Sequence, residues 1–159
     1  MLRMLLLSSV VLTGCVDQPP DPAATGESAL GTAPASGAIG VEAGGLWYRR
    51  LGCPSADPAT CQTEGHFWID LAIRNDAYDK RVGIVWIDEV RDNNDHPWHL
   101  AYASYEQALG APYERWGVDV TTGVFGGLEP KPRIRFAAFV EMSGTTYWDN
   151  NGGEDHLLP

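Results

Sequence analysis

From residue 45 onward, short runs of apolar residues recur with a period of two, and Gly, Pro, Asn and Asp separate the runs. Successive side chains of a β-strand point to opposite faces, so this period predicts strands with one buried face. In the run 66–74, for example, Phe67, Ile69, Leu71 and Ile73 fall on one face. The clearest runs are His66–Arg74, Arg81–Val90, Arg133–Met142 and Thr145–Asp149.

Weaker runs over 46–51, 98–104 and 113–120 bring the prediction to about seven to eight strands. No stretch of a dozen residues carries an apolar stripe with a period of 3.6, and Tyr105–Leu109 is expected to form at most a helical turn before Pro112. Short strands separated by turn residues favour an all-β fold. We predict an immunoglobulin-like antiparallel β-sandwich rather than a barrel.

The N-terminal residues have the features of an export signal. Arg3 precedes an apolar run, Met4–Leu12, which is too short to cross a bilayer as a helix of the mature protein. We therefore predict a signal peptide over residues 1–14. The run ends in Leu-Thr-Gly-Cys at 12–15, which resembles the lipobox of bacterial lipoproteins, so Cys15 is expected to carry acyl chains such as palmitate.

Residues 15–40 are rich in Pro, Gly, Ala, Ser and Thr and contain few large apolar side chains. This composition predicts a flexible tether between the lipidated Cys15 and a folded domain over residues 41–159. The expected location is the cell envelope, with the lipid anchor as the contact with the membrane. Val16 directly follows the lipidated position, and a residue other than Asp there favours the outer membrane.

The two remaining cysteines, Cys53 and Cys61, lie in a stretch rich in turn-forming residues. An oxidising compartment would pair them, so a disulfide is predicted. The chain has 11 Lys and Arg residues against 21 Asp and Glu residues, a formal charge of −10, which argues against nucleic acid as a partner.

Two segments resemble signatures of the family 21 carbohydrate-binding modules. Residues 74–86 (RNDAYDKRVGIVW) are similar to the family's pattern of an Asn, an aromatic and a Lys before a strand with alternating Val. Residues 143–151 (SGTTYWDNN) are similar to its hairpin of a small turn followed by Tyr-Trp-Asp-Asn-Asn, and Trp98 lies between the two segments. Members of the family are β-sandwiches that bind starch, glycogen or cyclodextrins.

The resemblance implies that the domain binds an α-glucan polysaccharide without cleaving it. It assigns contact with the sugar to six residues: Asn75, Tyr78, Lys80, Trp98, Trp148 and Asn150. An aromatic ring can cover the apolar face of a glucose unit, while Asn and Lys can donate hydrogen bonds to its hydroxyl groups. The chain departs from the family at Ala137, where other members often carry a further aromatic residue.

Most aromatic residues in strands belong to the core, and Trp86, Phe67, Phe136 and Tyr147 are predicted to do so because they alternate in phase with Ile and Val. Trp98 and Trp148 are predicted to be exposed. Trp148 points opposite to Tyr147 by period two, and Trp98 follows a polar segment.

Other functional classes fit the same residues less well. The runner-up function is a structural or protein-binding lipoprotein whose sandwich has lost sugar binding. Acidic residues near aromatic ones also describe a glycosidase cleft, but the small domain carries no recognisable catalytic set, so no enzyme activity and no cofactor are expected. The acidic segments 92–95 and 149–155 could together supply oxygen ligands for calcium, although neither fits a known calcium loop. His96 and His99 do not have zinc-ligand spacing on a strand, and no metal site is included in the predicted site.

Overall fold

Strands dominate the computed structural model, which describes residues 37–92, 98–126 and 129–158. The regular structure in these ranges consists of nine strands and two short 3-10 turns, Pro58–Thr60 and Asn151–Gly153. The strands in chain order are β1 (Ile39–Gly52), β2 (Gln62–Arg74), β3 (Lys80–Asp88), β4 (His99–Tyr102), β5 (Ser104–Gly110), β6 (Tyr113–Gly126), β7 (Ile134–Met142), β8 (Thr145–Asp149) and β9 (His156–Leu158).

These strands form two antiparallel sheets that face each other. One sheet has the order β1-β2-β6-β5, and the other has the order β4-β3-β7-β8, with β9 also paired to β7. β8 pairs with residues 138–142 of β7, and β9 pairs with residues 134–136. The predicted β-sandwich is confirmed.

The core lies between the sheets and is built from alternate residues of β2, β3 and β7. Phe67, Trp86 and Phe136 are all buried, as predicted. The predicted inner face of β2 is confirmed as well, because each of its four apolar side chains is fully buried. The largest fully buried side chains are Phe67, Phe136, Ile69, Leu71, Ile73, Ile84, Ile134, Leu158, Val82 and Val140.

Two sequence-based expectations about local structure are wrong. Tyr147 was expected in the core but is 41% exposed, because β8 is an edge strand and residues 145–148 all face solvent. The expected helical turn at Tyr105–Leu109 is part of strand β5, which pairs with β6 through two register shifts. Pairing with a neighbouring strand has overridden a weak local preference there.

The predicted disulfide between Cys53 and Cys61 is present and joins the end of β1 to the start of β2. The predicted signal peptide, Cys15 and residues 16–36 of the predicted tether lie outside the described residues. Strand β1 begins at Ile39, so the last two residues assigned to the tether belong to the sheet. Among the described residues, no helix has both the length and the apolar character needed to cross a bilayer.

Candidate functional site

The outward side of the five-stranded sheet carries a row of aromatic side chains. Strand pairing aligns Tyr102 with Gly83, Gly83 with Phe139, and Phe139 with Trp148, across β4, β3, β7 and β8. Directly opposed residues of antiparallel strands project from the same face. Because Val82 next to Gly83 points into the core, this row points away from it.

The ring of Phe139 is in contact with the other two rings of the row. The ring centroids of Tyr102 and Phe139 are 6.3 Å apart with nearly perpendicular planes, and those of Phe139 and Trp148 are 5.4 Å apart. Phe139 is only 5% exposed, whereas Tyr102 and Trp148 are 55% and 53% exposed. The row therefore presents two exposed rings to solvent, and the ring of Phe139 between them is almost completely covered.

Gly83 makes this arrangement possible. A Cβ atom on Gly83 would lie 2.9 Å from Cζ of Phe139 and 2.5 Å from the backbone oxygen of Ala101. Both distances are too short for a carbon atom in van der Waals contact. The absence of a side chain at Gly83 thus lets the Phe139 ring lie across β3 towards Tyr102.

Strand β4 extends the apolar surface along the sheet. Leu100 pairs with Val85, two residues from Tyr102, and projects from the same side. Trp98 directly precedes β4, is 41% exposed, and has the guanidinium carbon of Arg135 at 5.6 Å from its ring centroid. We call the set Trp98, Leu100, Tyr102, Phe139 and Trp148 the aromatic face.

The two tryptophans predicted to contact sugar are on this one face, at opposite corners. Trp98 lies four residues before Tyr102, about 13 Å along the strand, and the Cα atoms of Tyr102 and Trp148 are three strand spacings apart, about 14 Å. The tryptophans are thus about 20 Å apart on the diagonal. Ala137 lies between them and leaves the centre of the face flat.

Asn75, Tyr78 and Lys80 lie in the turn between β2 and β3 and at the start of β3. Because Lys80 pairs with Met142, this turn is at the same end of the sheet as the β7–β8 hairpin, and Trp98 is at the other end. Tyr78 is fully exposed, and Asn75 is exposed. The structure therefore brings Tyr78 to the end of the face that carries Trp148.

Lys80, to which the resemblance assigns contact with the sugar, has a largely buried side chain with three polar partners. Its side chain is only 3% exposed, and Nζ donates hydrogen bonds to Oδ1 of Asn75 at 2.6 Å and to the backbone oxygen of Ala77 at 2.7 Å. Nζ also lies 3.0 Å from Oε2 of Glu114 on β6. An ammonium group has three N–H donors, and these contacts use all three. Lys80 therefore holds the turn that presents Tyr78 and has no donor left for a sugar.

Asn150 follows β8 and is exposed, and its side chain makes no capping hydrogen bond to the 3-10 turn that follows. Its backbone oxygen accepts hydrogen bonds from the backbone nitrogens of Gly153 and Asp155, both at 2.9 Å. These backbone bonds fix its position while its amide group stays accessible. Asn150 thus keeps both donor and acceptor capacity next to Trp148.

Asp149 fastens this end of β8 to the other sheet. Its Oδ2 accepts a hydrogen bond from the backbone nitrogen of Val41 at 3.0 Å, and its Oδ1 lies 3.1 Å from Nε2 of His156. Partial burial alone would raise the pKa of Asp149, but contacts with His156 and with the backbone nitrogens of Asn151 and Val41 hold it below its ordinary value. Asp149 is therefore ionised at neutral pH and anchors the strand that carries Trp148.

A metal site has requirements that the described residues do not meet. Within the described ranges, no group of three or more His, Cys, Asp or Glu side chains could hold a metal ion. The segment 93–97, which contains part of the acidic loop considered for calcium, lies outside those ranges. What the aromatic face offers is exposed ring surface with polar groups at its rim, which suits a ligand with alternating apolar and hydroxyl-bearing surfaces.

Sequence reasoning did not include Tyr102 and Phe139 among the site residues, although a signal for both was present. Period two along the weak strand 98–104 places Tyr102 on the same side as Trp98, and the same period places Phe139 with Ala137 on the outward side of β7. What the sequence could not show is that these two strands lie on either side of β3, which brings the rings together.

The fold is similar to that of a solved starch-binding domain. The starch-binding domain of Rhizopus oryzae glucoamylase, solved in complex with β-cyclodextrin and maltoheptaose, matches with a TM-score of 0.54 and 22% identity, covering 81% of this chain and 99% of that domain. This likeness shows a shared fold. The carbohydrate-binding module of the muscle glycogen-targeting subunit of protein phosphatase-1 matches more distantly, with a TM-score of 0.47 and 16% identity over 84% of this chain and 91% of that one. The sequence matches no protein-family model and no curated protein sequence.

Proposed function

We propose that this chain is a family 21 carbohydrate-binding module that binds an α-glucan without cleaving it. The observation that carries the proposal is the common placement of Trp98 and Trp148. Both rings are exposed, and both lie on the outward side of the five-stranded sheet. The shared fold with a starch-binding domain that was solved with maltoheptaose supports the same ligand class.

The exposed residues of the site fit the chemistry of a glucan. Each glucose ring has an apolar face of C–H bonds, and covering it with an indole or phenol ring removes apolar area from water. Tyr78 and Trp148 supply such rings at one end of the sheet, and Asn75 and Asn150 supply amide groups beside them. Trp98 would contact a different segment of the same glucan molecule. Lys80 acts through the turn it holds.

Binding can be tested with a soluble fragment of residues 37–159. We expect it to sediment with insoluble starch and to stay in solution with cellulose and chitin. Trp148→Ala and Trp98→Ala should each weaken binding of maltoheptaose about tenfold while the thermal melt stays unchanged, because both rings lie outside the core. A fragment that shows no affinity for any glucan would contradict the proposed function and would favour the structural or protein-binding alternative.

We further propose that the module is exported and held at the cell envelope by lipid on Cys15, in the outer membrane. The lipobox-like segment at 12–15 and the tether-like composition of residues 15–40 support this. Cys15→Ser should release the protein from the membrane fraction of the native host and leave its precursor uncleaved. Normal processing and unchanged membrane association of that variant would contradict lipidation.

A further inference from the structure

The six residues of the proposed site do not explain the row formed by Tyr102, Phe139 and Trp148. The ring of Phe139 is almost completely covered, and the exposed rings of Tyr102 and Trp148 lie on either side of it. The ring centroids of Tyr102 and Trp148 can be no farther apart than their two distances to Phe139 combined, which is about 12 Å. The exposed rings of Tyr102 and Trp148 are thus close enough to contact the same ligand.

We propose that a glucan chain lies along this row and contacts Tyr102 as well as Trp148, so that Tyr102 is a further ligand-binding residue. The inference rests on the proposed function. Stacking a sugar against a ring places its atoms about 3.5–4 Å from the ring plane. Two exposed rings whose centroids are at most about 12 Å apart can therefore both contact one stretch of glucan, each against a different sugar unit.

The surroundings of Tyr102 indicate that its ring is not packed in the core. More than half of its surface is exposed, even though its neighbours Ala101 and Ala103 pack against the core. The guanidinium carbon of Arg81 lies 5.7 Å from its ring centroid, which fixes the ring from the side of β3. Tyr102 is thus held in place while much of its ring stays free for a ligand.

The direction of the row defines the ligand more closely. The row runs from Tyr102 to Trp148 across four strands, and Trp98 lies about 13 Å from Tyr102 in the direction of β4. A single chain that contacts Trp148, Tyr102 and Trp98 would have to be an oligosaccharide of several units. We therefore expect the site to favour long segments of glucan over mono- and disaccharides.

The test compares four proteins by calorimetric titration with maltose and maltoheptaose: wild type, Tyr102→Ala, Trp148→Ala and the control Tyr147→Ala. Tyr147 is next to Trp148 and 41% exposed but projects from the other side of β8. Tyr102→Ala should weaken maltoheptaose binding about five- to tenfold and maltose binding by less, because one ring is lost from a contact that only the long ligand completes. Tyr147→Ala should bind both ligands like wild type.

A second measurement uses the wild-type protein alone, so it does not depend on how a variant folds. In an NMR titration with maltoheptaose, the ring resonances of Tyr102 should shift together with the indole resonance of Trp148. If Trp148→Ala weakens binding while Tyr102→Ala does not, and the Tyr102 resonances stay unshifted, the proposed role of Tyr102 is overturned and the proposed function stays intact. Wild type that binds neither sugar would overturn both.

Discussion

Replacing Lys80 by Met tests whether this residue supports the turn or contacts the ligand. Its ammonium group is buried and bonded to Asn75, Ala77 and Glu114. Removing one partner of a buried ion pair costs about 3–5 kcal/mol, because the remaining charge is left without compensation. Since the side chain of Glu114 is 15% exposed and water can replace part of the contact, we expect Lys80→Met to lower the free energy of unfolding by about 3 kcal/mol.

The assay is urea unfolding followed by tryptophan fluorescence, with maltoheptaose titration of the folded variant at low temperature. Arg49→Met is the matched control, because Arg49 is 62% exposed and its bond to Glu64 at 2.8 Å is a surface pair worth at most about 1 kcal/mol. If Lys80→Met unfolds like the control but loses tenfold or more in glucan affinity, then Lys80 contacts the ligand directly. Its ammonium group would then not be held by the turn and Glu114, and the role of Lys80 as a support for the turn would be refuted.

Further expectations concern the core, the sheet surface, the disulfide and the ligand. Trp86→Ala should lower the free energy of unfolding by about 3–5 kcal/mol, measured by urea denaturation, since Trp86 is 9% exposed and packs on the Phe67 ring at 5.1 Å. Burial and the charge of Glu106 raise the pKa of Asp70, so its ionised form destabilises the folded state. Asp70→Asn should therefore raise stability at pH 7, and this gain should vanish once the pH falls below the ordinary value of 3.8; an equal gain at pH 3 would count against it. Cys61→Ser should cost about 2–3 kcal/mol by the loop-entropy account, because the bond closes a short loop with a sequence separation of 8, and melts with and without reductant would detect it. Affinity for maltoheptaose should change less than about twofold between low and high salt, and a steep dependence would indicate a charged contact.

The sequence predicted the elements whose pattern is strong and local. The alternation in 66–74 matches the inner face of β2, and the segment 145–149 matches β8 residue for residue. The exposure of Trp148 also followed from local period. By contrast, the same period placed Tyr147 in the core, which is wrong. A period of two predicts which side of the sheet a residue points to, but it does not predict whether another sheet covers that side.

The features that sequence reasoning missed all depend on residues far apart in the chain. The ammonium group of Lys80 has no free donor because Glu114, on a strand of the other sheet, pairs with it across the edge of the sandwich. Tyr102 meets Phe139 because β3 lies between their strands and has Gly83 at the crossing point. A local pattern cannot specify either contact, since strand order is set by the packing of the whole domain.

The charges around the aromatic face are consistent with a neutral ligand. Arg81 lies 3.3 Å from Glu141, and Arg135 lies 3.1 Å from Glu89, so each guanidinium beside an exposed ring already has a carboxylate partner. The chain as a whole carries a formal charge of −10 and would repel an anionic polymer at a distance. An acidic polysaccharide would therefore gain no electrostatic attraction at this face. A neutral glucan loses nothing by approaching it and can stack its sugar rings on Trp98, Tyr102 and Trp148 through dispersion and the release of water.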